Sequence, residues 1–146
     1  MKSLLLIASG LVLLVLGGCE TQRTHYATTE EARNDGLFSR GWAPDVLPDN
    51  AGPITEAHNL DTNARCLYSA FPPDSLLSVR SELARLGFSD SDSLAPEPAG
   101  FCPFSGSDLS DVQETLSRKG LASDLEYVAL HEGGTLYFWS SRGASP

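Results

Sequence analysis

The apolar residues of this chain are concentrated at its start. From Leu4 to Leu16 they form an almost unbroken run, which the charged Lys2 precedes. This run is shorter than the roughly 20 residues needed to cross the hydrocarbon of a bilayer. One positive charge, a short apolar stretch and small residues after it are typical of a secretory signal. The pattern therefore predicts an exported protein, with an uncleaved transmembrane helix as the alternative.

The end of this apolar run resembles a lipobox, the cleavage motif of bacterial lipoproteins. It reads Leu16-Gly17-Gly18-Cys19, two small residues followed at once by a cysteine. The motif predicts a signal peptide over 1–18 and a Cys19 thiol that carries a diacylglyceryl group, with palmitate-type acyl chains. A signal cut elsewhere, with Cys19 incidental, is the competing interpretation. Two or more acyl chains suffice for stable membrane anchoring.

The residues after Cys19 predict how the chain is arranged at the membrane. Glu20 follows the cysteine, which favours the periplasmic face of the outer membrane over the inner membrane. The stretch 19–29 is polar and lacks proline and glycine, so we interpret it as the lipidated cysteine and a short tether. The remaining residues, 30–146, are enough for a single domain.

Two further segments have helical spacing. Leu76, Val79 and Leu83 recur every three or four residues, and Gly87 ends that pattern, which predicts a helix over 74–86. A similar spacing predicts a second helix over 107–119. The stretch between them, 88–106, is expected to be a long loop.

Shorter stretches of alternating or continuous apolar residues predict strands. Two hairpins are expected, 54–59 with 65–71 and 125–132 with 135–140. The second would turn through a two-residue Gly133-Gly134 loop. That register pairs Leu130 with Tyr137 and leaves both faces of the hairpin apolar, so both need a cover. We therefore predict an α+β fold with a small four-stranded, mainly antiparallel sheet and two main helices.

An irregular apolar segment precedes the first predicted hairpin. Three prolines interrupt it between 44 and 53, yet large apolar residues such as Phe38, Trp42 and Leu47 recur. Proline at that density prevents a long regular element. We interpret the segment as a lid that lies across one face of the domain.

The same region carries a family resemblance. The motifs Gly41-Trp42-Ala43-Pro44, Leu47-Pro48-Asp49-Asn50-Ala51 and Asp61-Thr62-Asn63 resemble the head region of YbbD proteins over about residues 36–71. Asn50 stands where that pattern has serine. The resemblance implies an envelope location and a small α+β domain, and it implies no catalytic residue.

Cysteine parity supports an oxidising compartment. Without Cys19, the chain has two cysteines, Cys66 and Cys102. An even remainder in an exported chain predicts one disulfide. Two buried free thiols are the alternative. Two cysteines with this spacing exclude a CxxC redox pair and a four-cysteine zinc site.

The charge balance limits the partners. The whole chain has 10 basic and 19 acidic residues, and loss of Lys2 with the signal leaves 9 against 19, or −10. Such a chain is repelled by nucleic acid and by anionic lipid. The charge suits a basic envelope protein as partner, or it serves only solubility.

Motifs that carry chemistry are scarce. The three histidines have no metal-binding spacing, no nucleophile motif is present, and we expect no metal, cofactor or catalytic residue. Trp42, Asp61 and Trp139 are the candidate interaction surface, although both tryptophans also suit a core. We predict a lipid-anchored envelope protein that is a non-enzymatic interaction or structural module. The alternatives are an inhibitor or immunity lipoprotein for a basic envelope-acting enzyme or toxin, and a carboxylate-dependent hydrolase.

Overall fold

The computed structural model describes residues 21–91, 94–120 and 124–141. These residues form one sheet of seven antiparallel strands in the order β1-β2-β3-β7-β6-β5-β4. The strands are β1 (Thr21–Tyr26), β2 (Ile54–Asn59), β3 (Arg65–Ala70), β4 (Ser89–Asp90), β5 (Glu114–Lys119), β6 (Leu125–His131) and β7 (Thr135–Ser141). The helices are α1 (Thr29–Asn34) and α2 (Leu76–Arg85), and short 3-10 turns cover Pro73–Ser75 and Gly106–Leu109.

The predicted fold class is wrong. Both predicted hairpins are present, as β2–β3 and β6–β7, and β3 pairs with β7 to join them at the centre of the sheet. Three more strands extend this centre, and α2 is the one helix of more than two turns among the described residues. The protein is therefore mostly β. None of the described helices is long and apolar enough to span a membrane.

The first added strand, β1, occupies residues that we assigned to the tether. It pairs with β2 along its whole length, from Thr21 opposite Asn59 to Tyr26 opposite Ile54. β1 is an edge strand, and most of its side chains are exposed while Tyr26 is buried. An edge strand with so little burial has a polar sequence, which is why composition alone does not distinguish it from a tether.

The second added strand, β5, occupies the last six residues of the predicted second helix. Leu109, Val112 and Leu116 have the three- and four-residue spacing that favours a helix. In the structure Leu116 packs into the core on one face of the sheet, whereas Leu109 and Val112 pack on the other. Pairing over six positions with β6 gives the backbone groups of that strand their partners. Tertiary pairing therefore overrides the local helical spacing.

The turn between β6 and β7 differs from the prediction by one residue. His131 pairs with Thr135, so the loop has three residues and its last, Gly134, has a φ of 85°. This is the usual three-residue hairpin loop, with glycine in the left-handed position. Leu130 consequently pairs with Leu136, not with Tyr137. A slip of one residue changes which side chains share a face.

The sheet has two buried faces. We call one the lid face; its side chains come from alternate strand positions and include Ile54, Leu67, Val128, Leu130, Leu136 and Phe138. The other, the disulfide face, bears Cys66, Tyr127, Ala129, Tyr137 and Trp139. Both faces are apolar and both are covered, as the sequence predicted.

The lid face is covered by α2 and by the irregular segment 36–53. Val79 and Leu83 of α2 are fully buried, and Gly87 ends the helix in the left-handed conformation with a φ of 88°. Leu37 and Leu47 anchor the irregular segment in the same core. The predicted lid is therefore confirmed. Leu77, in the first turn of α2, is 75% exposed.

The disulfide face is covered by the chain between α2 and β5. Ala95, Ala99, Phe104 and residues up to Val112 pack on it without forming a long helix. The Cys66–Cys102 disulfide ties this chain to β3, as predicted from cysteine parity.

Candidate functional site

A row of polar side chains crosses the lid face near the strand ends where β1 begins. We call Gln22, His58, Arg65, Ser140, Glu126 and Arg118 the polar row. Strand register places them side by side, and the backbone N–H of Arg65 donates to Ser140 Oγ at 3.0 Å. His58, Arg65, Ser140 and Glu126 are buried. Polar groups that are buried this close together must form hydrogen bonds or ion pairs, because burying them without partners costs free energy.

Glu126 is the centre of one half of the polar row. Arg65 Nη2 donates to one of its carboxylate oxygens and Arg118 Nε to the other. Arg118 also donates to the carbonyl of Leu86 at 3.0 Å and stacks over the ring of Phe88. These contacts link β3, β5 and β6 and neutralise a carboxylate that is 3% exposed. Removing one partner of such a group leaves an uncompensated buried charge.

His58 and Glu56 form the other half. Both point to the lid face from β2, and His58 Nδ1 lies 2.6 Å from Glu56 Oε1. The indole of Trp42 stacks on the imidazole, with ring centroids 3.8 Å apart and planes within 9° of parallel. Burial raises the pKa of Glu56 above its ordinary value, while the hydrogen bond to His58 opposes that shift.

A carboxylate that holds a histidine ring is also a component of catalytic sites. In the described part of the chain, however, no hydroxyl or thiol is hydrogen-bonded to His58. No cluster of three or more metal-binding side chains occurs among those residues either. The contacts that are present hold β2 to the lid through Trp42.

An open groove lies between β1 and α1, at the other end of β1 from the polar row. Its volume is about 700 Å³, and Glu30, Glu31 and Asp35 are among its lining residues. α1 begins here because Thr28 caps it by accepting from the N–H of Glu31 at 3.2 Å. Glu31 in turn accepts from the N–H of Ala27 at 2.7 Å. We call this feature the acidic groove.

Tyr26 and Asp35 fix the floor of the acidic groove. The tyrosine hydroxyl donates to Asp35 Oδ2 at 2.7 Å, and Arg40 donates to the same oxygen at 3.0 Å. Burial, aided by this hydrogen bond, raises the pKa of Tyr26 to about 12. The bonds from Tyr26 and Arg40 lower the pKa of Asp35. Asp35 therefore stays ionised, and the groove keeps its negative charge.

The structure separates the three residues of the predicted interaction surface. Trp42 is half-buried on the lid face, where it covers His58. Trp139 lies on the disulfide face, 1% exposed, with its indole N–H donating to the carbonyl of Pro96 at 3.0 Å. Asp61 is exposed in the β2–β3 turn. The predicted lipidation site, Cys19, lies outside the described residues.

Sequence reasoning missed the buried ionic groups. Glu56 and His58 lie on the same core-facing side of β2 as Ile54, and Arg65 and Glu126 occupy core-facing positions of their strands. The signal in the sequence was a charged residue at an inward-facing position of a predicted strand. Pairing these charges with one another required the register between strands, which the sequence alone did not provide.

Together these features define a class: a mostly β domain whose single sheet is covered on both faces, with an edge strand and a lid contributed by residues 21–53. A comparison with protein families identifies the segment that contains the edge strand and the lid. Residues 20–70 match the family model of the YbbD head domain. The resemblance predicted from the lid is therefore confirmed, and it extends back to include β1 and α1. No curated protein and no solved structure matches the chain.

The family match agrees with a small envelope-associated protein. It covers β1, α1, the lid, β2 and β3. The acidic groove, Trp42 and the His58–Glu56 pair all lie within it, whereas Glu126 and Arg118 lie outside. The polar row thus joins the matched segment to the rest of the sheet.

Proposed function

We propose that this protein is a lipid-anchored module of the cell envelope that binds other envelope components and does not catalyse a reaction. The observation that carries the proposal is the position of the lipobox. Cys19 precedes β1 by two residues, so an acylated cysteine would hold the sheet itself at the membrane. Glu20 favours the periplasmic face of the outer membrane.

The placement of polar groups supports a binding role. His58 and Glu56 are bonded to each other beneath Trp42, and Glu126 is neutralised by two arginines. These groups hold strands and lid together. Contact with a partner is then left to the exposed surface of the domain.

The acidic groove favours a basic protein as that partner. Glu30, Glu31 and Asp35 line it, and it is open along its length, which suits a protein surface better than an enclosed small molecule. Complementary charge accelerates association and selects partners. In its more specific form, the proposal is therefore that this protein is an inhibitor or immunity lipoprotein for a basic envelope-acting enzyme or toxin.

The test is crosslinking of the full-length protein in its native envelope, followed by affinity capture and mass spectrometry. Glu30→Lys reverses one charge of the acidic groove at an exposed residue, so the fold is kept. We expect one basic protein to be captured in near-stoichiometric amount, to be lost at high salt, and to fall about tenfold with Glu30→Lys.

Glu132→Lys is the matched control. Glu132 is an exposed glutamate in the β6–β7 turn, away from the groove lining, and its reversal changes the net charge equally. Capture retained by this variant and lost by Glu30→Lys would support the groove. Equal loss in both would reject the groove as the binding surface, and no enriched partner in any sample would reject the binding role.

A further inference from the structure

The end of the sheet at which β1 begins is the end nearest the predicted anchor. Two residues of extended chain span at most about 7 Å, so Cys19 cannot lie far from Thr21. Strand register defines the rest of this end. Thr21 pairs with Asn59, Ser141 with Leu125, and Leu125 with Lys119. We call Thr21, Asn59, Ser141, Leu125 and Lys119 the end row.

Exposed leucines lie at this end. Leu60, immediately after Asn59, is 45% exposed, and Leu125 within the end row is 40% exposed. They are two of the four large apolar side chains that are exposed in the described ranges. Three strand spacings separate β2 from β6, about 14 Å. Two apolar contacts that far apart define an orientation, which one contact cannot do.

The charges at this end also suit a membrane surface. Lys119 is exposed in the end row and is the one lysine of the chain after Lys2. Asp61, Asp124 and Glu126 are the acidic residues at this end of the described chain, and Glu126 is paired with Arg65 and Arg118. In the sequence Glu20 also directly precedes Thr21. The remaining acidic residues, including those of the acidic groove, lie elsewhere, so the strong negative charge of the protein is not concentrated against lipid.

We propose that the end row, with Leu60 and Leu125, rests on the phospholipid surface and fixes the orientation of the domain. This proposal depends on the lipid anchor of the proposed function. The leucines contact the boundary between head groups and acyl chains, and Lys119 lies among the phosphates. Tyr26 is five residues further along β1, about 17 Å from the end row. The acidic groove beside it therefore faces away from the membrane, towards a partner.

The test places a photocrosslinking residue, p-benzoylphenylalanine, at position 60, 125 or 77 of the full chain. Leu77 is the matched control, because it is an exposed leucine on α2 near the opposite strand ends. Each protein is purified with its anchor and reconstituted into phosphatidylethanolamine and phosphatidylglycerol vesicles. After irradiation we expect at least fivefold more lipid adduct at positions 60 and 125 than at position 77. Equal adduct at all three positions would overturn the orientation.

Two further measurements distinguish failure of the lipid anchor from failure of the orientation. The mass of the N-terminal peptide reports whether Cys19 carries acyl chains. Missing chains reject the proposed anchor, whereas chains without a positional preference reject only the orientation. In the unsubstituted protein, a water-soluble amine reagent should label Lys119 several-fold more slowly on vesicles than in detergent. An unchanged rate would also contradict the proposal.

Discussion

The two faces of the sheet are stabilised in different ways. On the lid face, α2 satisfies its own backbone hydrogen bonds and contributes Val79 and Leu83 to a core of mostly aliphatic side chains. On the disulfide face, an irregular chain covers aromatic side chains. That chain is held by the Cys66–Cys102 bond and by the hydrogen bond from Trp139 to Pro96.

On the lid face α2 supplies a hydrogen-bonded part of the cover beside the irregular segment 36–53, whereas the described cover of the disulfide face has no such helix. Few backbone hydrogen bonds form within the cover of the disulfide face, among them Cys102 to Ala99 and Asp108 to Ser105. Ordering such a chain has a large entropic cost per residue. A covalent link lowers that cost by restricting the unfolded state. The lid face has a larger aliphatic core and needs no link.

Truncation of adjacent side chains on β7 compares the two faces most directly. Phe138 is fully buried on the lid face, and Phe138→Ala should lower the free energy of unfolding by about 4 kcal/mol. Its neighbour Tyr137 is half-buried on the disulfide face, so Tyr137→Ala should cost about half as much. Urea unfolding measures both. A cost for Tyr137→Ala that equals or exceeds that of Phe138→Ala would contradict the comparison.

Removal of the disulfide should produce an effect of similar size that is more local. The bond closes a segment with a sequence separation of 36, so replacing Cys66 and Cys102 by alanine should cost about 4 kcal/mol in the chain-entropy model. Hydrogen exchange should accelerate in the amides of 94–112, because these residues depend on the link. The amides of α2 serve as the internal control. Their exchange should accelerate only as much as the global loss of stability requires. Equal acceleration in both regions would mean that the disulfide stabilises the whole domain and not the cover of one face.

The sequence predicted well what depends on neighbours in the chain. The hairpins β2–β3 and β6–β7, the helix ending at Gly87, the lid and the disulfide all follow from local period, turn residues or parity. The three additional strands depend instead on partners that are distant in sequence. β1 is polar because it is an edge, and β5 has one apolar residue directed at the core, Leu116.

The candidate site was harder to predict because it is made by register. His58, Arg65 and Glu126 come from three strands, and only pairing through β7 brings them into one row. Each residue alone looks like a solvated surface charge. A one-residue error in the β6–β7 turn was enough to misassign which side chains share a face. Trp42 was recognised as a candidate, but the ring beneath it was not.

The smallest predicted effect concerns Glu56, a carboxylate that is buried on the lid face and whose pKa is raised. The folded state favours protonated Glu56, so its contribution to stability is full below its ordinary pKa of 4.5 and declines as pH rises through the folded value. Glu56→Gln should therefore remove part of the decline in unfolding free energy between pH 4.5 and 7, as followed by urea titrations across that range. Asp61→Asn, at an exposed carboxylate, should leave the profile unchanged. If Glu56→Gln steepens the decline, the pair with His58 outweighs burial, and the lid is held mainly by that ion pair.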